Sequence, residues 1–134
     1  MPVEYRFEPD VNLVTVTLTG TIRFDDIAQK FLERIQQPEH RPGMNILMDG
    51  REALLEFSTE DVTRLVTFLD LRRRDRGAGF RFALTSTQDL AFALGRMFEA
   101  YAARLPEDIR VFRDLDDARR WVLGAEGSGY PPAP

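Results

Sequence analysis

The hydrophobic period of this chain changes from two residues to about 3.6 after the first two segments, and that change constrains the fold more than any single motif. Val3, Tyr5 and Phe7 alternate with Glu4, Arg6 and Glu8, the pattern of a half-buried strand. Pro9-Asp10-Val11-Asn12 supplies turn chemistry. Val14, Val16 and Leu18 then alternate with Thr15, Thr17 and Thr19 as far as Gly20. The two runs form a β-hairpin with one apolar face. Beyond it, Phe24, Ile27, Ala28, Phe31 and Ile35 recur at helical spacing, with Asp25 and Asp26 at the positive end of the helix dipole.

Strands and helices then alternate. Ile46-Leu47-Met48, within Asn45 to Asp49, is a short interior strand bounded by Gly43 and Gly50. Ser58 with Asp61 forms a capping box, stapled by Phe57 and Val62. It opens a helix that buries Val62, Leu65, Val66 and Leu69 and ends near Gly77 or Gly79. Phe80 to Thr85 is the next strand, and Ser86 with Asp89 repeats the capping pattern. The helix that follows carries Leu90, Leu94, Met97, Phe98 and Tyr101 on one face. Ile109 to Phe112 is the last strand, and Asp114 caps a final helix with Leu115, Ala118, Trp121 and Val122.

The order β-β-α-β-α-β-α-β-α predicts a single α/β domain over residues 1–124, with a mostly parallel sheet and the first strand antiparallel. Residues 125–134 are Gly/Pro-rich and are expected to be a disordered tail. Glu4, Arg6, the threonines, Arg81 and Arg110 oppose the apolar strand positions. Burying so much polarity is costly, so the helices are expected mainly on one face of the sheet.

Composition removes several function classes. A chain of 134 residues buries enough surface to fold without a staple. It has no Cys and one His, which excludes thiolate chemistry and leaves little for a metal centre, so no metal and no cofactor are expected. No run of about 20 apolar residues could cross a bilayer. The first residues lack the charged and apolar regions of a secretory signal, and a cytoplasmic location is the expectation. A net charge of −4 argues against nucleic acid as a partner.

Three stretches carry a resemblance: the hairpin ending at Gly20 before an Asp-Asp helix, Ile46-Leu47-Met48-Asp49-Gly50-Arg51, and Val111 to Val122 with its Arg-Asp-Leu-Asp-Asp-Ala-Arg-Arg-Trp core. Over about Val3 to Gly124 the chain resembles the SpoIIAA-like fold of anti-sigma-factor antagonists and STAS domains. More narrowly, it resembles the small bacterial proteins labelled STAS/SEC14-domain. The resemblance implies a non-catalytic, regulatory protein-interaction module. The SEC14 part of the label implies, as an alternative, a small anionic or lipophilic ligand. Anti-sigma antagonists are phosphorylated on a Ser at the start of the second helix, and Ser58 occupies that place. Here the adjoining Gly of their motif is absent and Glu60-Asp61 follows, so the N-cap role is the simpler reading of Ser58.

The remaining candidates come from the residues themselves. Asp49 lies at the carboxyl end of an interior strand, with Arg51 nearby and Thr85-Ser86 ending the neighbouring strand. That edge is the usual ligand position in open α/β sheets. Phe68 and Leu71 fall off the apolar stripe of their helix, and Phe92 lies nearly opposite its own. These three residues are candidates for a protein partner or self-association. His40 reads as a surface histidine, and the Arg72–Arg76 run as a solvated helix end. No conventional catalytic constellation is present.

Overall fold

The computed structural model describes residues 2–124, and the tail expected at 125–134 lies outside the described residues. Five strands lie in one sheet in sequence order: β1 (Val3–Glu8), β2 (Leu13–Ile22), β3 (Asn45–Leu55), β4 (Arg81–Thr85) and β5 (Asp108–Phe112). β1 pairs antiparallel with β2, and each later neighbour pair is parallel. The helices are α1 (Phe24–Arg34), α2 (Thr59–Asp70), α3 (Arg73–Arg76), α4 (Asp89–Tyr101) and α5 (Leu115–Val122).

The sequential strand order explains the layering. Parallel crossovers share one hand, and the chain never reverses its direction of travel across the sheet. α1, α2 and α4 therefore return over the same face. Their core joins Val16, Ile46, Phe82 and Ile109 of the sheet to Phe31, Val62, Val66 and Phe98. α5 follows the last strand and bridges no crossover, so it is free to take the other face. There Ala118, Trp121 and Val122 pack on Leu13, Leu47, Ala83 and Phe112. Helices lie mainly on one face, as the strand polarity implies. On the second face, the guanidiniums of Arg81 and Arg110 stack near the Trp121 ring, and Arg81 also donates to the Trp121 carbonyl at 2.7 Å.

Local boundaries differ from the sequence reading where tertiary contacts intervene. β2 continues past Gly20 to the fully buried Ile22, and β3 continues through Gly50 to Leu55. The two extensions pair with each other beyond a register shift between Thr17 and Thr19. Only glycine suits position 50, because a Cβ there would lie 2.9 Å from the Thr85 carbonyl oxygen. Arg51 and Glu52 face solvent and hide the extension, whereas Ala53 is buried.

α2 stops at Asp70, well before Gly77, and the chain turns through Leu71 and Arg72 into the short α3. This turn carries Arg76 inward to a buried ion pair with Glu107, so the arginine run is not a uniformly solvated helix end. Ser86 does not cap α4; Gln88 precedes that helix without a side-chain bond, while buried Ser86 donates its backbone N–H to the Phe112 carbonyl. Leu90 and Tyr101 are 68% and 51% exposed, whereas Ala91, Leu94, Gly95 and Phe98 are buried. The contact line of α4 runs over Gly95, where a Cβ would lie 3.1 Å from Leu84 and 3.2 Å from Val111. A glycine at the point of closest approach carries no hydrophobic signal, which is why the sequence stripe is misplaced. His40 is half-buried, and its Nε2–H donates to the Asp75 carbonyl at 2.7 Å.

Candidate functional site

Asp49, Arg51, Thr85 and Ser86 do come together at the carboxyl ends of β3 and β4, where Asp49 and Thr85 are register partners. Their chemistry is already satisfied or hidden. Arg51 donates Nε–H and Nη2–H to the two oxygens of Asp49, both at 2.9 Å, and its backbone N–H adds a third bond at 3.2 Å. This bidentate fork holds the Asp49 carboxyl below its ordinary pKa, against an opposing push from partial burial. A carboxylate so held is a poor proton acceptor, and the Nε–Nη2 edge of its guanidinium partner is taken. Thr85 and Ser86 lie beneath the surface at 0% and 4% exposure. Arg51 is tied further by the Thr87 hydroxyl, which donates to its carbonyl at 3.3 Å.

The topology supplies the physical reason. Carboxyl-edge ligand sites form where the strand order reverses and two crossovers diverge to opposite faces. A sheet ordered β1 to β5 has no such reversal, so adjacent connections leave no crevice at Asp49.

Ser58 is an exposed N-cap. Its hydroxyl accepts from the Asp61 N–H at 3.1 Å, and the Asp61 carboxylate accepts from the Ser58 N–H at 3.0 Å. The reciprocal box is complete. Asp114 accepts similarly from the Asp117 N–H at 2.9 Å.

Phe68 and Leu71 share one surface, but Phe92 is elsewhere. Phe68 is half-buried, edge-on to Phe24 and Phe31 at centroid distances of 5.9 and 5.5 Å. The Arg72 guanidinium lies 3.7 Å from the Phe68 ring centre, and that of Arg64 lies 4.1 Å from Phe24. Leu71 is 77% exposed beside them, and together these residues line an open groove along the outer side of α2. Phe92 is half-buried beneath Arg113, whose guanidinium lies 4.2 Å from its ring centre.

At the amino ends of the parallel strands the structure places polar residues that sequence reasoning missed. Arg76, carried in by α3, donates to Glu107 just before β5, and both residues are buried. Arg34, the last residue of α1, is 7% exposed. Desolvation pulls both guanidiniums down to about 10, and the charge of Arg34 lowers Arg76 further. Both remain charged at neutral pH. One signal for Arg34 exists in the sequence: it stands three residues after Phe31, on the apolar stripe of its helix. Arg76 has no such signal, because nothing local separates it from Arg72, Arg73 and Arg74.

Between the sheet and α1, α2 and α4 lies a cavity of about 80 Å³. Val16, Ile46, Val62, Leu94 and Phe98 are among its apolar walls, and its polar lining is Tyr5, Lys30, Arg34 and Arg76.

No family model matches the chain, and no curated protein matches it. Among solved structures, the chain is similar to an uncharacterized protein of the DUF3478 family from Shewanella loihica PV-4, described as having a SpoIIAA-like fold. The match has a TM-score of 0.56 and 18% sequence identity, and covers 90% of this chain and 91% of that one. This chain has a SpoIIAA-like fold. The likeness agrees with the five-strand order and the antiparallel first strand. No helix among the described residues is long and apolar enough to cross a membrane.

Proposed function

We propose that this SpoIIAA-like chain is a non-catalytic regulatory module that binds a protein partner through the outer surface of α2. The observation that carries the reading is Leu71, 77% exposed beside two half-buried phenylalanines that are themselves roofed by arginines. Exposed apolar surface next to rigid aromatics and arginine is the composition of binding hot spots. A complementary partner presents an apolar side chain flanked by carboxylates, which Arg64 and Arg72 face. Catalysis is disfavoured in this reading because Asp49 is locked by Arg51 and Ser58 is engaged in its capping box.

Leu71→Asp is the variant of choice, because the side chain contributes little to the core, whereas Phe68→Asp would place a charge against Phe31. Protein captured with its partner from its own host is identified by mass spectrometry, and light scattering gives the mass of the purified chain. The expected result is loss of a stoichiometric partner with an unchanged melting temperature. Unchanged capture by Leu71→Asp would overturn the proposal, and a wild-type mass that halves in the variant would redirect it to self-association.

A further inference from the structure

The cavity between the sheet and the helix layer has an unusual charge balance. Every charged residue on its wall is cationic: Lys30, Arg34 and Arg76. Lys30 is answered by Glu33, whose carboxylate accepts from its Nζ at 3.3 Å, and Arg76 is answered by Glu107. Arg34 has no hydrogen bond from its side chain and no ion pair among the described residues. Its guanidinium lies 5.1 Å from the Phe31 ring centre and also feels Tyr5, which is no carboxylate. The neighbouring Glu33 turns instead to Tyr5, at 2.5 Å, and to Lys30. The buried group of Arg34, Arg76 and Glu107 thus carries one positive charge in excess.

Buried guanidiniums are stable when a carboxylate or phosphate meets their fork of N–H donors. We propose that the cavity is a binding site for a monocarboxylate with a short aliphatic tail, its carboxylate on Arg34 and its tail against Val16, Ile46, Val62 and Phe98. Charge selects a monoanion, since one negative charge neutralises the excess and a second would again be unpaired. Size selects the tail. An apolar cavity of about 150 Å³ accepts benzene, so the space of about 80 Å³ here suits a tail of roughly three carbons. The cavity runs from Arg34 and Arg76 at the amino ends of the parallel strands toward Met48 and Leu84, and shares only Phe68 with the α2 groove.

Titration of the full chain with butyrate, followed by amide chemical shifts, tests this directly. Saturable shifts are expected at Val16, Ile46 and Val62. Acetate lacks the tail and 1-butanol lacks the charge, and each is expected to bind at least about tenfold more weakly than butyrate, as is inorganic phosphate. The Arg34→Met variant keeps the bulk of the side chain and is expected to lose the preference for the acid over the alcohol. Arg34→Lys is expected to retain part of it. Absence of saturable binding of butyrate to the wild type would overturn the proposal, as would equal affinity for acid and alcohol. The ligand comparison on the wild-type chain needs no variant, so it decides the matter even if Arg34→Met does not fold. A folded Arg34→Met that binds butyrate unchanged would show that Arg34 is structural and would also overturn it.

Discussion

The two ends of the sheet handle charge in opposite ways. At the carboxyl ends, Asp49 and Arg51 are two residues apart on one strand, partly exposed, and bonded to each other by a full bidentate fork. At the amino ends, Arg34, Arg76 and Glu107 come from three separate segments, are almost fully buried, and leave a cation unanswered. A pair close in sequence and near water forms at little cost and contributes little. A pair assembled across the fold is expensive to desolvate, so the rest of the structure must hold it in place. A strand order without a reversal leaves the first end closed, and the helix layer above the sheet encloses the second.

The sharpest way to break this contrast is Glu107→Gln, which strands Arg76 in the interior. It is expected to destabilise the chain by about 3–5 kcal/mol in urea unfolding. Replacing both partners, Arg76→Met with Glu107→Leu, is expected to cost much less than the single change, since no charge remains buried alone. A Glu107→Gln cost no larger than that of a surface pair would erase the difference between the two ends.

Gly50→Ala probes the carboxyl end through packing instead of charge. Its methyl group would press on the Thr85 carbonyl oxygen, which is backbone and cannot swing away. A loss of about 1–3 kcal/mol is expected from the unfolding midpoint. The smallest effect belongs to Arg51→Ala, expected below about 1 kcal/mol because the pair is partly solvated. Its sign with pH is fixed by the depressed Asp49 pKa: the contribution is present above the ordinary carboxylate range and fades as pH falls through the lower folded value. The difference between wild type and variant should therefore be full at about pH 6 and shrink as pH falls below the ordinary carboxylate range of about 4. A difference that persists in acid would mean that Arg51 acts by packing.

The element order was readable because it depends on local periodicity. Val3 to Leu18 alternate and Phe24 to Phe31 step helically whatever lies around them, and Ser58 and Asp114 sit where capping chemistry requires them. The candidate site was less legible. Asp49, Arg51, Thr85 and Ser86 were correctly placed at one edge, since strand ends follow from strand assignment. The saturation of Asp49 by Arg51 was not visible, because it depends on side-chain geometry and on the extension of β3 through Gly50. Phe92 was separated from Phe68 and Leu71 by the actual phase of α4, which turns on the close approach at Gly95.

The sequence by itself determined the succession of strands and helices, the α/β class and the one-sided helix layer, because propensity, periodicity and crossover handedness act over short stretches of chain. Only the tertiary structure decided which charges are buried. Nothing near Arg76 distinguishes it from the three arginines before it, and Glu107 lies 31 residues away. Burial is a property of what packs over a residue, and for Arg34 and Arg76 the covering elements come from distant parts of the chain.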